Sequence, residues 1–182
     1  MTISMIACVT SDMYIGVGNE LLISILPDME YFKLTTMGHV IVMGKNTYLS
    51  LPKQKPLPNR VNVIISSTMQ EQPEGFTVFH SVEDFIETYK NYASEIFVIG
   101  GGRIYDAFMP YVSKIYFTHI HRLATELPKV REGAGPLVKF PDSFYDYLWD
   151  TKSAVTETYF DKKYGVVRYE FLTLKKVIGL KK

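Results

Sequence analysis

Ile96-Phe97-Val98-Ile99-Gly100-Gly101-Gly102-Arg103-Ile104-Tyr105 is the stretch that decides the fold. Four bulky apolar residues in succession read as a strand buried on both faces. Three glycines end it and allow a backbone to approach a ligand closely. A helix is predicted from Arg103 to Met109, stopped by Pro110. Strand, glycine turn and helix together are the unit of a parallel sheet. Tyr105 stands where the dinucleotide fingerprint G-x-G-x-x-G would need its third glycine. A ligand-binding turn and a plain tight turn both remain open here.

The same unit recurs upstream. Ile3 to Val9 reads as a buried strand, followed by a loop at Gly16-Val17-Gly18-Asn19. Pro27 opens a helix through Asp28 to Thr36, and His39 to Met43 is a second buried strand. Gly44 ends it, and Lys45 to Leu51 forms a short helix before the proline-rich loop Pro52 to Pro58. Val61 to Ile65 and Phe76 to Phe79 are further strands. Ser81 caps a helix over Val82 to Tyr92, with Glu83 and Asp84 in its first turn.

Downstream, Lys114 to Ile120 is a strand and Leu123 to Phe140 is irregular. Ala154 to Phe160 and Val166 to Leu174 read as a closing pair joined by a Lys162-Lys163-Tyr164-Gly165 turn. The expected fold is α/β in a single domain. A central, mostly parallel mixed sheet of about eight strands has an antiparallel C-terminal edge, with about four helices flanking it. The domain is expected over residues 1–176, with a basic, solvated tail over 177–182.

Composition narrows the function. With 182 residues and 47% apolar content, the chain can bury one core. A net charge of +1 gives no reason to expect nucleic acid or an anionic membrane as partner. Cys8 is the only cysteine, which rules out an internal disulfide and fits a reducing, cytoplasmic setting. The N-terminus lacks a basic lead, and no apolar run approaches the ~18 residues of a spanning helix. A monomer acting on a small molecule is expected.

Ligands of such sheets bind beyond the carboxyl ends of the strands. Those points carry Gly16 to Asn19, Gly44-Lys45-Asn46-Thr47, Ser66-Ser67 and Gly100-Gly101-Gly102. Two glycine-marked helix starts on one sheet edge suggest a ligand with more than one phosphate. Asp28 is a carboxylate among Ile23, Ile25, Leu26, Met29 and Phe32. It is either a surface charge at a helix start or a desolvated acid with a raised pKa. Arg60 can grip a carboxylate in bidentate fashion or be solvated. His119 and His121 share a strand face, but no Cys or third His at ligand spacing accompanies them, so no metal is expected.

In this order, the motifs resemble those of the dihydrofolate reductases. They are Ile15-Gly16, then Asp28 four residues before Phe32-Lys33 with Thr36, then Met43 to Thr47. Pro56 to Asn62, Ser66-Ser67, Ile99 to Tyr105 and Thr118-His119-Ile120 follow. The resemblance runs from Ile3 to about Ile120 and continues more weakly through the final strands. It implies NADPH-dependent reduction of 7,8-dihydrofolate to tetrahydrofolate.

It also implies roles. Asp28 would hold the pterin, supported by Thr118, and a loop from Gly16 to Leu26, with Leu21 at its centre, would close over the nicotinamide. Ile6, Cys8, Met29, Phe32, Leu51, Leu57 and Ile99 would wall the folate pocket, and Arg60 would bind the tail carboxylate. Cys8, Ile15, Gly16, Lys45, Asn46, Thr47, Ile65, Ser66, Ser67, Ile99, Gly101, Gly102, Arg103, Ile104 and Tyr105 would contact NADPH. Lys45 and Ser67, with His80, would take its 2′-phosphate. A cis peptide is implied at Gly100-Gly101.

One departure stands out: Leu22-Ile23 replaces the family's Pro-Trp, and Pro27 lies directly beside Asp28. Altered loop motion with activity retained is expected. Two alternatives stay open: a same-fold reductase of riboflavin-synthesis type, and a catalytically weak pterin- or NADPH-binding structural protein.

Overall fold

The structure, a computed structural model, describes residues 1–151 and 155–181. Its elements in chain order are β1 (Thr2–Thr10), β2 (Tyr14–Val17), β3 (Glu20–Leu21), α1 (Leu26–Thr36), β4 (Val40–Gly44), α2 (Lys45–Ser50), β5 (Val61–Ile65), β6 (Phe76–Phe79), α3 (Val82–Tyr89), β7 (Glu95–Gly100), α4 (Gly102–Phe108), β8 (Lys114–Ile120), α5 (Pro128–Arg131), β9 (Leu137–Lys139), β10 (Tyr147–Thr151), β11 (Glu157–Asp161) and β12 (Gly165–Lys181). The main sheet has nine strands in the order β10-β12-β8-β1-β7-β4-β5-β6, with β11 also pairing β12. From β8 to β6 every pairing is parallel, while β10, β11 and β12 pair antiparallel. The expected mixed sheet with an antiparallel C-terminal edge is therefore present.

The apolar runs form strands because both sheet faces are covered. Ile3, Met5, Ala7 and Val9 of β1 face a core shared with Val82 and Phe85 of α3 and with Tyr105 and Phe108 of α4. Ile6, on the other face, joins Ile41, Met43, Ile64 and Phe97, onto which Tyr31 and Phe32 of α1 and Tyr48 of α2 pack. The period-2 geometry of a strand sends alternate residues to opposite faces, so each run needs apolar side chains throughout.

Four elements depart from the sequence reading. The loop expected at Gly16 to Asn19 is a β2–β3 hairpin, and β9, inside the stretch expected to be irregular, adds to it as a three-stranded second sheet. Gly16 suits this hairpin because a Cβ there would lie 2.9 Å from the carbonyl oxygen of Glu20. β10 is an unforeseen edge strand whose pairing with β12 extends to Lys181. The backbone of residues 177–181 thus prolongs a strand. The closing pair is β11 and β12, with Gly165 in the left-handed region at the turn (φ 69°). Ala154, where the first of that pair was expected to begin, lies outside the described residues.

Candidate active site

β1 and β7 are parallel neighbours. The helices that follow them pack on opposite faces, α1 with the Ile6 side and α4 with the Ile3 side. A crevice opens at the carboxyl ends of two such strands. Cys8 of β1 lies in register with Thr118 of β8, so both side chains point to the α1 face.

Asp28 enters this crevice from the first turn of α1. Pro27 sets the start of that helix, and no side chain caps it. The Thr118 hydroxyl lies beside the Asp28 carboxylate, where hydrogen bonding to it favours the charged form. Burial acts the other way and is stronger, so the Asp28 carboxyl is held above the usual carboxylate range. Burial and the Asp28 charge together push the Cys8 thiol up, so Cys8 is a neutral wall residue. Tyr105 is buried beside them and donates its hydroxyl hydrogen to the Ile6 carbonyl at 2.8 Å. The local sequence left two readings of Asp28 open; its half-buried position and the upward shift of its carboxyl favour the desolvated acid.

One apolar cluster gathers Ile6, Phe32, Leu51, Leu57 and Ile99, all expected pocket residues. Met29 and Leu21 instead present apolar side chains to solvent, at 55% and 58% exposure. Arg60 borders the cluster with its guanidinium carbon 5.9 Å from the Phe32 ring centroid. Its Nε donates to the Pro58 carbonyl and its Nη1 to the Thr36 hydroxyl, both at 3.1 Å. Thr36 in turn donates to the Phe32 carbonyl at 2.7 Å. Asn62 fixes the approach loop: its side chain accepts from the Leu57 N–H and donates to the carbonyls of Leu57 and Arg60.

Asn62 and Thr36 stand inside the quoted motifs, yet no role was read for them. Tyr31 was missed altogether. Its ring stacks on that of Phe171 with centroids 4.1 Å apart, tying α1 to β12. Its partner in β12 is remote in sequence, so no local signal marks it.

The two glycine turns lie side by side. A Cβ on Gly44 would come within 2.7 Å of the Ile104 side chain and 3.8 Å of the Gly101 nitrogen. A Cβ on Gly100 or Gly101 would lie 3.3–3.4 Å from the Thr47 hydroxyl. The Gly100-Gly101 peptide is cis, as the resemblance implies. Neither α2 nor α4 has a side-chain cap or an acidic residue in its first turn, and Lys45 is exposed at the start of α2. Uncapped N–H groups beside a lysine suit an anion. Along the same edge, buried Ser66 accepts a contact from His80 Nδ1 at 3.0 Å through its carbonyl, and Ser67 is exposed. Ile15 and Ile104 pack partly buried against the core on the α4 face, and Ile65 is buried within it.

The segment leading to Asp28 is anchored. Val17, Leu22, Ile23 and Ile25 are each at most 3% exposed, packed with Ile120, Leu127 and Tyr169. Lys129 pairs with Glu20 at 2.6 Å and donates to the Leu21 carbonyl at 2.9 Å. Ile23, where the family resemblance expects an indole, is thus a core residue. Ile23→Val should cost about 0.5–1.5 kcal/mol of stability. Urea unfolding checks this, and a loss near zero would mean that the side chain is solvated.

A half-buried carboxylate beside two uncapped, glycine-marked helix starts, on a sheet of this topology, suits an enzyme that acts on a small molecule with a phosphate-bearing cofactor. A family model described as dihydrofolate reductase matches residues 2–133. The chain is 37% identical to the dihydrofolate reductase of Bacillus subtilis over 119 residues, covering 65% of this chain and 69% of that protein. It is 38% identical to the enzyme of Buchnera aphidicola over 120 residues, covering 66% and 73% respectively. The fold matches a solved structure of Enterococcus faecalis dihydrofolate reductase complexed with NADP(H) and RAB-propyl, with a TM-score of 0.81, 23% identity and 96% of each chain covered. The chain belongs to the dihydrofolate reductase family. No helix among the described residues is long and apolar enough to cross a membrane.

Proposed function

We propose that the chain catalyses the NADPH-dependent reduction of 7,8-dihydrofolate to 5,6,7,8-tetrahydrofolate, with Asp28 as its catalytic carboxylate. The observation that carries this reading is Asp28 itself, a half-buried carboxylate beside Thr118 and Cys8 whose carboxyl is held above the usual range. Family membership and the apolar wall around it support the same reading.

NADPH, when bound, supplies the hydride that reduces a pterin carbon. The uncapped starts of α2 and α4, with Lys45, Asn46, Thr47, Gly101, Gly102 and Arg103, would hold its diphosphate. Ser66, Ser67 and His80 lie on the neighbouring strand ends and, with Lys45, would take the 2′-phosphate. Cys8, Ile15, Gly16, Ile65, Ile99, Ile104 and Tyr105 would complete the cofactor contacts.

Asp28 would accept hydrogen bonds from the pterin amino group and a ring N–H, with Thr118 fixing its orientation. The ring nitrogen beside the reduced carbon must gain a proton. Asp28 raises the basicity of that nitrogen, and water delivers the proton. Arg60 retains N–H donors beyond its two protein contacts, and these would pair with the tail carboxylate. The segment Gly16 to Leu26, with Leu21 exposed on it, would cover the reacting atoms. In this reading the chain works as a cytoplasmic monomer, which suits the lone free Cys8.

The test compares NADPH oxidation with dihydrofolate and with a ribosylated pyrimidine of riboflavin-synthesis type. Turnover with dihydrofolate alone is expected. Turnover with the pyrimidine alone would overturn the substrate assignment.

A further inference from the structure

We infer that His119, His121 and Glu170 form a binding site for one Zn²⁺ on the sheet face opposite Asp28. β8 alternates, so His119 points away from the face that holds Thr118. His121 lies two residues on, at the end of β8, where its N–H bonds the Arg168 carbonyl at 3.0 Å. Glu170 of β12 stands directly across from His119 in the antiparallel register. Cross-strand neighbours on one face have their Cβ atoms within about 5.5 Å, which is close enough to share an ion.

The donor atoms already converge. His119 Nδ1 is 2.8 Å and His121 Nε2 is 3.5 Å from the same Glu170 Oε1, and one donor atom from each residue lies within 4.8 Å of the others. The imidazole rings are 4.9 Å apart. Ligands at about 2.0–2.1 Å from a tetrahedral zinc lie about 3.3–3.5 Å from one another. The His121–Glu170 separation already matches, and the His119–Glu170 contact needs to open by about half an ångström.

His121 Nε2 is buried without a hydrogen-bond partner among the described residues. A buried polar atom with no partner costs free energy, and a cation would supply the missing contact. The three side chains are 18–33% exposed, so an ion can reach them from solvent. Two imidazoles and one carboxylate suit a borderline divalent ion, and leave a position for water. A hard cation such as Mg²⁺ prefers oxygen ligands throughout.

His39 and His80 each contact a backbone carbonyl instead. An ion at this site would pin β12 to β8, the strand that carries Thr118. It would therefore act as a staple behind the active site, separate from the reaction.

The test is calorimetric titration of the untagged, ligand-free full chain with Zn²⁺ at neutral pH, repeated with Mg²⁺. One Zn²⁺ per chain is expected, with a raised melting midpoint and no binding of Mg²⁺. Co²⁺ in the same site should give visible ligand-field bands. His121→Gln and Glu170→Gln should each weaken Zn²⁺ roughly 100-fold or more, since even supporting groups behind metal ligands contribute 10- to 100-fold. His39→Gln should bind as the wild type does. Circular dichroism and dihydrofolate turnover report whether each variant folds, and His121→Gln, at a partly exposed site, serves alone if Glu170→Gln does not. Absence of stoichiometric Zn²⁺ binding would overturn the inference. So would binding that survives both substitutions, or Mg²⁺ binding of equal strength.

Discussion

Asp28→Asn is expected to reduce dihydrofolate roughly 10²–10⁴ times more slowly than the wild type at neutral pH. The amide keeps the size and one acceptor oxygen of the carboxylate. It cannot carry the negative charge that raises the basicity of the pterin nitrogen. As pH falls, solvent protons substitute for that charge and part of the rate returns. Single-turnover rates across a pH series measure this, and a rate unchanged at neutral pH would remove Asp28 from the reaction.

The same substitution should stabilise the ligand-free fold at neutral pH. Burial holds the Asp28 carboxyl above its unfolded-state pKa. Between those two pKa values the folded chain binds the extra proton, so stability falls as pH rises through that interval. Above it the full penalty of a buried charge remains. Asn carries no such charge, so the variant's melting midpoint should exceed the wild type's at neutral pH, with the two converging in acid. Asp28 thus weakens the fold where it serves the chemistry.

Arg60→Leu is expected to raise the Kd for dihydrofolate roughly 10- to 100-fold, the loss of one or two hydrogen bonds between charged groups. The Kd for NADPH should hold. A pterin lacking the glutamate tail should bind wild type and variant alike, which separates tail recognition from local damage to the Thr36 and Phe32 contacts. Fluorescence titrations with all three ligands measure it, and equal losses for dihydrofolate and NADPH would contradict the assignment.

Much of the fold is legible in the sequence because a strand buried on both faces must be apolar throughout. Val61 to Ile65, apolar but for Asn62, coincides with β5 for that reason, whereas Lys114 to Ile120 coincides with β8 through its aromatic alternation. Ser81 accepts the Asp84 N–H at 3.1 Å, so that helix start was legible too. The helix ends at Tyr89, short of the expected Tyr92. β2, β3, β9 and β10 were not legible. Each is five residues or fewer, β2 holds a glycine, and their pairing partners, apart from the β2–β3 hairpin, are distant in sequence.

The site divides in the same way. Glycine turns and Asn62 stand in contiguous motifs. Asp28 has Thr118, Cys8 and Tyr105 as neighbours, a set that only the fold brings together. Glu170 is a donor beside His119 solely through antiparallel register, so a search for local ligand spacing could not find it.

The most direct measurement mixes the preformed complex of the chain and NADPH with dihydrofolate and follows the loss of reduced-nicotinamide absorbance in a single turnover. Wild type should show a dihydrofolate-dependent exponential that slows when the transferred hydrogen is deuterium. Asp28→Asn should bind both ligands and lose nearly all of that phase at neutral pH. No dihydrofolate-dependent oxidation by wild type, or equal rates in the two proteins, would contradict the account.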